Sequence, residues 1–428
     1  MPINESKKKV SPSSWIITAY FAEGLPFVAI AAASVLMFKN LGISDTQIAF
    51  WTSLIMLPWT LRPLWGPFLE MYKTKKFFVV FTQLSIGVLF GLVAFTLALP
   101  NFFAYAIGLM AVIAFCGATH DMAVDGIYLN ELSSKKQAEY IGWQGVSYNI
   151  AKVLSGGALI YLAGELETRM GVASAWKVVM CVYGVIMLLI GLYHSRMLPS
   201  GGAATSVSSF QEGMAKLKDI TSTFFKKKYI WFGILFIILY RFAEGQAIKI
   251  APLFFKATRE EGGLGLTTSE IGIVYGVFGA LAFVAGSLLG GHFVSNKGLS
   301  KRTLIILCSA FNLPFTMYAL LSIFQPESLT IIGVAVAIEY FGYGFGFVGL
   351  TLFMMQQIAP GKYKMAHYAF ATGIMNLGVM LPSMLSGYLS DLMGYQNFFI
   401  WVLVATIPSF LVSWFVPLKK VISEEAIA

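Results

Sequence analysis

Charge is what this chain has least of. Its 428 residues are 12% Asp, Glu, Lys and Arg against 57% hydrophobic. A soluble domain averages about 25% charged residues, so the balance excludes an ordinary soluble fold and points to a polytopic membrane protein. Histidine and cysteine are scarce too, at four and three residues. Cys116, Cys181 and Cys308 lie in apolar runs without metal-ligand spacing and read as packing residues. The chain has no glycine-rich phosphate loop, no Walker sequence and no Cys/His cluster. Neither metal, nor any other cofactor, nor ATP-driven work is expected. Met1 to Ser14 is polar and runs straight into an apolar stretch, so no cleavable signal is expected.

What is present is a series of apolar runs of about 20 residues, each long enough to cross a bilayer. They lie near 14–38, 46–69, 77–98, 102–129, 139–163 and 173–195, then near 229–256, 269–295, 303–324, 328–357, 368–390 and 396–416. A polar linker separates the two sets, with an amphipathic helix expected from Phe210 to Phe225. The expected fold is therefore all-α and integral to the membrane, with twelve spans. Its divisions are 1–196, a linker at 197–228, and 229–428. With both termini placed in the cytoplasm, 21 of the 30 Lys and Arg fall in cytoplasmic segments and five on the opposite side. That is the positive-inside pattern. It accounts for the +9 charge without nucleic acid.

The two sets repeat. Phe21-Ala22-Glu23-Gly24 in the first span recurs as Phe242-Ala243-Glu244-Gly245 in the seventh, an offset of 221. Gly66-Pro-Phe-Leu-Glu70 at the end of the second span parallels Gly291-His-Phe-Val-Ser295 at the end of the eighth, an offset of 225. Repeated halves imply alternating access around a site at the midplane.

Gly66 through Lys76 resembles the signature loop of the major facilitator superfamily, with Glu70 and Lys73 replacing the usual Asp and Gly. The resemblance implies two pseudo-symmetric six-helix bundles and a gating role for Gly66, Glu70, Lys75 and Lys76. A narrower likeness rests on Glu23-Gly-Leu-Pro26, Leu61-Arg-Pro-Leu-Trp-Gly-Pro67 and Ala114-Phe-Cys-Gly-Ala-Thr-His-Asp-Met-Ala-Val-Asp125. These stretches resemble the AmpG muropeptide permease family, which also includes acetyl-CoA transporters. The likeness implies a bacterial inner-membrane carrier of N-acetylglucosaminyl-anhydro-N-acetylmuramic acid, with or without its peptide.

Ionised side chains at membrane depth cost roughly 2.5 kcal/mol or more each, so those kept there mark a cavity in use. Asp121 and Asp125 are four apart and share a helix face. Asp125 lies about 6 Å nearer the cytoplasm. With His120, Glu23 and Glu244 they are the candidates for proton coupling. The bland alternative is that these acids pin helix ends, pair with Lys152, or, for Glu244, pair with Arg241 three residues earlier. Lys152 and Arg241 are the candidate contacts for an anionic substrate, with Lys152 expected to face the aspartates. Tyr340, Tyr343, Gln144, Tyr148, Asn149 and Asn376 are candidate polar or stacking contacts, with Trp143 beside them. Glu339 is a further buried acid. The glycines of 339–349 serve close helix packing by default. Arg62 is expected to snorkel or gate at a span end, and Lys249 to attract anions at the outer entrance.

These residues together lead to a proton-driven importer of an anionic amino-sugar saccharide. It is expected to be a monomer among membrane lipids and not an enzyme. Another organic anion (an acyl-CoA or a sugar acid) or drug export is the same-class alternative. A membrane acyltransferase using His120 and Asp121 is the different-class one.

Overall fold

A computed structural model describes residues 11–65, 73–201 and 210–418. Twelve spans are present. Among the described residues nine helices are long and apolar enough, as continuous stretches, to cross a membrane. The last of these, Lys364–Phe415, is two antiparallel spans. They turn at Gly394, whose φ of 73° an L side chain rarely adopts. Two further spans are each broken part-way, at 45–64 around Ile55 and Met56 and at 230–256 around Arg241. The linker helix runs Phe210–Phe225, as its amphipathic pattern required.

In chain order the spans are helix 1 (Ser13–Asn40), helix 2 (45–64), helix 3 (Lys75–Thr96), helix 4 (Phe102–Glu131), helix 5 (134–170) and helix 6 (Val172–Met197). They continue as helix 7 (230–256), helix 8 (Thr268–Lys297), helix 9 (Lys301–Phe324), helix 10 (Leu329–Ile358), helix 11 (364–393) and helix 12 (395–415). Residues 11 and 418 therefore lie at one end of the bundle, the terminal end. The other is called the far end.

Packing repeats between the halves. Gly24 on helix 1 lies against Tyr148 and Ala151 of helix 5, and Gly245 on helix 7 lies against Val379 and Pro382 of helix 11. A Cβ on Gly24 would meet Ala151 at 2.9 Å, and one on Gly245 would meet Pro382 at 2.6 Å. The same glycine of each repeat thus admits the same neighbouring helix. Between the halves, helix 2 packs on helix 11 and helix 5 on helix 8, a pairing that the repeat maps onto itself. Helix 10 presents Gly344 to helix 8, and Gly342 and Gly346 to helix 9. The close-packing reading of its glycines holds, and Tyr340 and Tyr343 are left for the interior.

The far end is tied shut across the halves. Asn40 donates to Glu167 at 2.6 Å and to Thr268 at 2.8 Å, and Thr268 donates to Glu167 at 2.7 Å. Asp45 accepts from Tyr395 at 2.6 Å while paired with Lys39 at 2.7 Å. Lys249 was expected at an open entrance. It is instead buried and donates to Ala31 O at 2.9 Å. Ala31 lies in the π-helical turn Ala29–Ala33, where the ordinary α-helical pairing is broken. Cys116 and Cys308 are buried as expected, but Cys181 is exposed on the outside of helix 6, so it packs no core.

Candidate functional site: a carboxylate cluster and an aromatic wall

Helix 4 carries His120 and Asp121 into the core, both fully or almost fully buried, and Asp125 one turn further toward the terminal end. Asp125 is exposed although it stands within the bundle. What orients Asp121 is a glycine one turn earlier. At Gly117 a Cβ would lie 2.7 Å from Trp59, so the missing side chain admits the indole. Trp59 then donates from Nε1 to Asp121 Oδ2 at 2.8 Å. Arg62 stands in the 3₁₀ turn that ends helix 2, its guanidinium 4.0 Å from the same oxygen. The snorkelling role expected for Arg62 is therefore corrected: proline in the next position tightens this turn, and the side chain faces the acids.

Asp125 accepts from the Tyr20 hydroxyl at 3.0 Å, and Gln144 of helix 5 donates to that hydroxyl at 2.9 Å. Glu23, one turn along helix 1 from Tyr20, is close enough to feel Asp121, Asp125 and Arg62. One of its carboxylate oxygens is buried without a partner. Tyr148 of helix 5 lies between this cluster and Tyr343 of the other half. Three carboxylates thus share one neighbouring guanidinium.

The matching acid of the other half is held differently. Arg241 clamps Glu244 with two bonds, Nε to Oε2 at 2.5 Å and Nη2 to Oε1 at 2.6 Å, and both residues are buried. Arg241 also lies over the Phe347 ring, 5.2 Å from its centre. Beside the pair is a cavity of about 40 Å³, lined by Tyr275, Tyr318, Glu339, Tyr340 and Tyr343 among others. That is enough for about three or four waters, at roughly 10–15 Å³ each. Tyr318 donates to Glu339 at 2.9 Å.

Lys152 does not face the aspartates. Its ammonium rests on the Phe283 ring of helix 8, 4.4 Å from the centre, and the charges it feels are those of Glu244 and Arg241. The reason is helix rotation: Ala151 packs on Gly24 of helix 1, and the next residue points about 100° away, across the interface between halves. Asn149 donates to Gly145 O on its own helix and takes no part in the cluster. Trp143 is exposed, and Asn376 is half-buried on helix 11, between the glycines that touch Thr60 and Ile238. Lys75 covers Gly126 and Gly201 with its methylenes, and the Lys76 backbone bonds Ser200 O at 3.3 Å. The other two gating residues, Gly66 and Glu70, lie outside the described residues. His120 reaches no cavity, since its Nε2 is bonded to Gln83 at 2.9 Å.

Residues not foreseen from the sequence are Trp59, Tyr20, Gln83, His194 and Tyr318. A lone Gln in the apolar run of helix 3 was the one readable signal among them.

The family model of the Major Facilitator Superfamily matches residues 16–366. The chain belongs to that superfamily. Among curated proteins it is 23% identical over 409 residues to the anhydromuropeptide permease of Escherichia coli K12, covering 93% of this chain and 78% of that one. It is 21% identical over 409 residues to the putative transporter AmpG 4 of Rickettsia conorii, covering 92% and 94%. The AmpG likeness seen in the motifs therefore extends over most of the chain. Solved structures share the fold. A nucleoside transporter, NupG, superposes with a TM-score of 0.73 at 13% identity, covering 94% of this chain and 99% of that one. A D-xylose-proton symporter superposes at 0.69 and 13%, covering 95% and 98%. The protein is a multi-pass membrane transporter of the major facilitator type.

Proposed function

We propose that this transporter imports an anionic amino-sugar saccharide together with protons, by alternating access between halves 1–196 and 229–428. The observation that carries the reading is the cluster of Glu23, Asp121 and Asp125 around one guanidinium, Arg62. Like charges this close in a low-dielectric interior do not all remain ionised, so the cluster takes up and releases protons. Asp125 is the exposed member of the cluster and the entry point for water-borne protons. Glu244, grouped with these acids from sequence, holds Arg241 in place. Lys152 rests on a ring rather than on a carboxylate and is the cation that meets the substrate's carboxylate, with Arg241 behind it. Tyr340, Tyr343 and Tyr148 supply ring faces and hydroxyls for a sugar. The charge bias of the loops supports a cytoplasmic terminal end. On that orientation the closed far end makes this an inward-facing state.

The substrate class follows the anhydromuropeptide permease relative, so N-acetylglucosaminyl-anhydro-N-acetylmuramic acid is the first compound to test. Purified protein in liposomes should accumulate it unchanged, faster under an inward proton gradient, and Asp121→Asn should lose the gradient dependence. Equal gradient-driven uptake by both proteins removes the proton role. Concentration-dependent thermal stabilisation by a CoA ester or simple sugar acid, without any by the muropeptide, replaces the substrate.

A further inference from the structure

Behind Asp121 a buried polar chain crosses four helices. His120 of helix 4, Gln83 of helix 3 and His194 of helix 6 are each 0% exposed. The Gln83 amide nitrogen is 2.9 Å from His120 Nε2, and its oxygen is 3.0 Å from His194 Nδ1. His194 Nε2 is 2.8 Å from the Thr18 hydroxyl on helix 1, which also reaches Trp15 O at 3.2 Å. At the other end His120 Nδ1 lies 3.5 Å from Asp121 Oδ1, and neither of these buried atoms makes a hydrogen bond among the described residues. The charged and titratable groups around the chain are Arg62 from helix 2, Glu23 from helix 1, Asp125 from helix 4 and Lys76 at the start of helix 3.

A neutral imidazole has one N–H and one bare nitrogen, and a primary amide donates from one side and accepts on the other. An amide fixed between two ring nitrogens therefore allows two self-consistent polarities. In the first, the amide nitrogen donates to His120 Nε2. The His120 proton then sits on Nδ1 and points at an ionised Asp121, His194 donates from Nδ1 to the amide oxygen, and Thr18 donates to His194. In the second the amide is turned over. His120 then donates from Nε2, and its bare Nδ1 accepts from a protonated Asp121. His194 donates from Nε2 to Thr18, whose hydroxyl is freed for Trp15 O. The states differ by one proton, on Asp121; each ring keeps one proton and changes only which nitrogen bears it.

We infer that Gln83 and His194 are positioning residues that set the tautomer of His120 and relay the charge state of Asp121 to Thr18 on helix 1. This rests on Asp121 being a proton-coupling residue. Helix 1 also carries Tyr20 and Glu23, so the far end of the relay belongs to a helix that lines the cavity. A merely structural network has no reason to change polarity with pH. This one changes it whenever Asp121 does.

The test is nitrogen NMR on protein labelled with ¹⁵N-histidine. The four histidines are assigned by replacing each in turn with Gln. Ring shifts report directly which nitrogen is protonated. At high pH both His120 and His194 should carry the proton on Nδ1, and on acidification both should move to Nε2 with one midpoint. Asp121→Asn should abolish that transition. Gln83→Met should leave His194 indifferent to pH and move the midpoint of proton-driven uptake by roughly one pH unit, the worth of one buried hydrogen bond. Gln83→Glu, which accepts on both sides, should hold His120 on Nε2 throughout. A His120 that stays on Nε2 at every pH, or two rings that switch independently in the wild type, overturns the relay. If Asp121→Asn loses gradient dependence while Gln83→Met keeps the wild-type pH profile, the relay fails and proton coupling stands. If the rings switch together but Asp121→Asn still couples, the relay stands and the coupling assignment fails.

Discussion

Arg241 and Glu244 allow a carboxylate that holds the structure to be separated from one that works. Both are buried, at 7% and 4% exposure, and joined by two bonds of 2.5 and 2.6 Å. Removing one member of such a pair strands the other charge and costs about 3–5 kcal/mol, whereas apolar residues at both positions are often neutral. The two single variants should fall at different ends of that range. In Arg241→Met the stranded Glu244 still has Lys152 as an electrostatic neighbour, so the loss is near ~3 kcal/mol. In Glu244→Met the stranded guanidinium is left with the Phe347 face and the like-charged Lys152 nearby, so the loss is about 5 kcal/mol. The double variant should lie closer to wild type than either single one. Thermal unfolding in detergent reads the order, and proteoliposome uptake reads the function. On the proposed function, which puts Arg241 behind the anion site and the protons in the other half, the double variant should retain gradient dependence but need more substrate. Additive losses in the double variant, or single variants indistinguishable from wild type, would refute the clamp. A stable double variant without gradient dependence would return Glu244 to the proton path.

Gly117→Ala pushes a methyl into the Trp59 indole and off its bond to Asp121; overpacking costs about 1–3 kcal/mol. Its gradient-driven uptake should fall more than its melting temperature does. Asn40→Ala removes two bonds at the far end, one of them to a carboxylate worth about 1.5–3 kcal/mol. A cysteine placed beside Thr268 should then react faster with a membrane-impermeant reagent. Outside the membrane, Asp219 of the linker helix accepts from Tyr363 and Lys362, which hold its carboxyl below the usual range. That tie is complete above the unfolded value of about 3.9 and is lost as pH falls through the lower folded one. Linker-helix amide exchange should therefore accelerate only below about pH 4 in the wild type and already be fast at neutral pH in Asp219→Asn.

Span number and the helix at Phe210–Phe225 were legible because apolar runs and polar turns alternate at bilayer length, a property of the chain alone. The breaks were less so. Arg241 interrupts helix 7 inside a run that reads as continuous from 229 to 256, whereas the turn at Gly394 falls where the runs 368–390 and 396–416 part. Within the site, Asp121, Asp125 and Glu23 stood out because a charge in an apolar run has a cost whatever surrounds it. The direction of Lys152 did not stand out, since it depends on how Ala151 meets Gly24 on another helix. Trp59 and Gln83 were hidden for the same reason. An indole or amide in a membrane helix is ordinary until its partner is known to be a carboxylate or a histidine.

On the proposed function the two halves divide the chemistry, and the repeat supplies a test of that division. At the offset of 221 that aligns Glu23 with Glu244, Arg241 corresponds to Tyr20. Each stands three residues before its glutamate, one helical turn away. In the second half that position gives a guanidinium that closes on Glu244. In the first it gives a neutral phenol that reaches Asp125 and leaves a Glu23 oxygen unpartnered. One exchange on a shared scaffold thus separates a locked acid from a free one. Tyr20→Arg should build the second half's clamp in the first, pairing Glu23 and adding a second guanidinium to the carboxylate cluster. The protein should melt higher, because an unsatisfied buried oxygen gains its partner at a saving of about 1–3 kcal/mol, and it should lose gradient-driven uptake. Tyr20→Phe removes the same phenol without supplying a charge, so it should keep part of that uptake. If Tyr20→Arg still couples to protons, the free acids of the first half are not what distinguishes it.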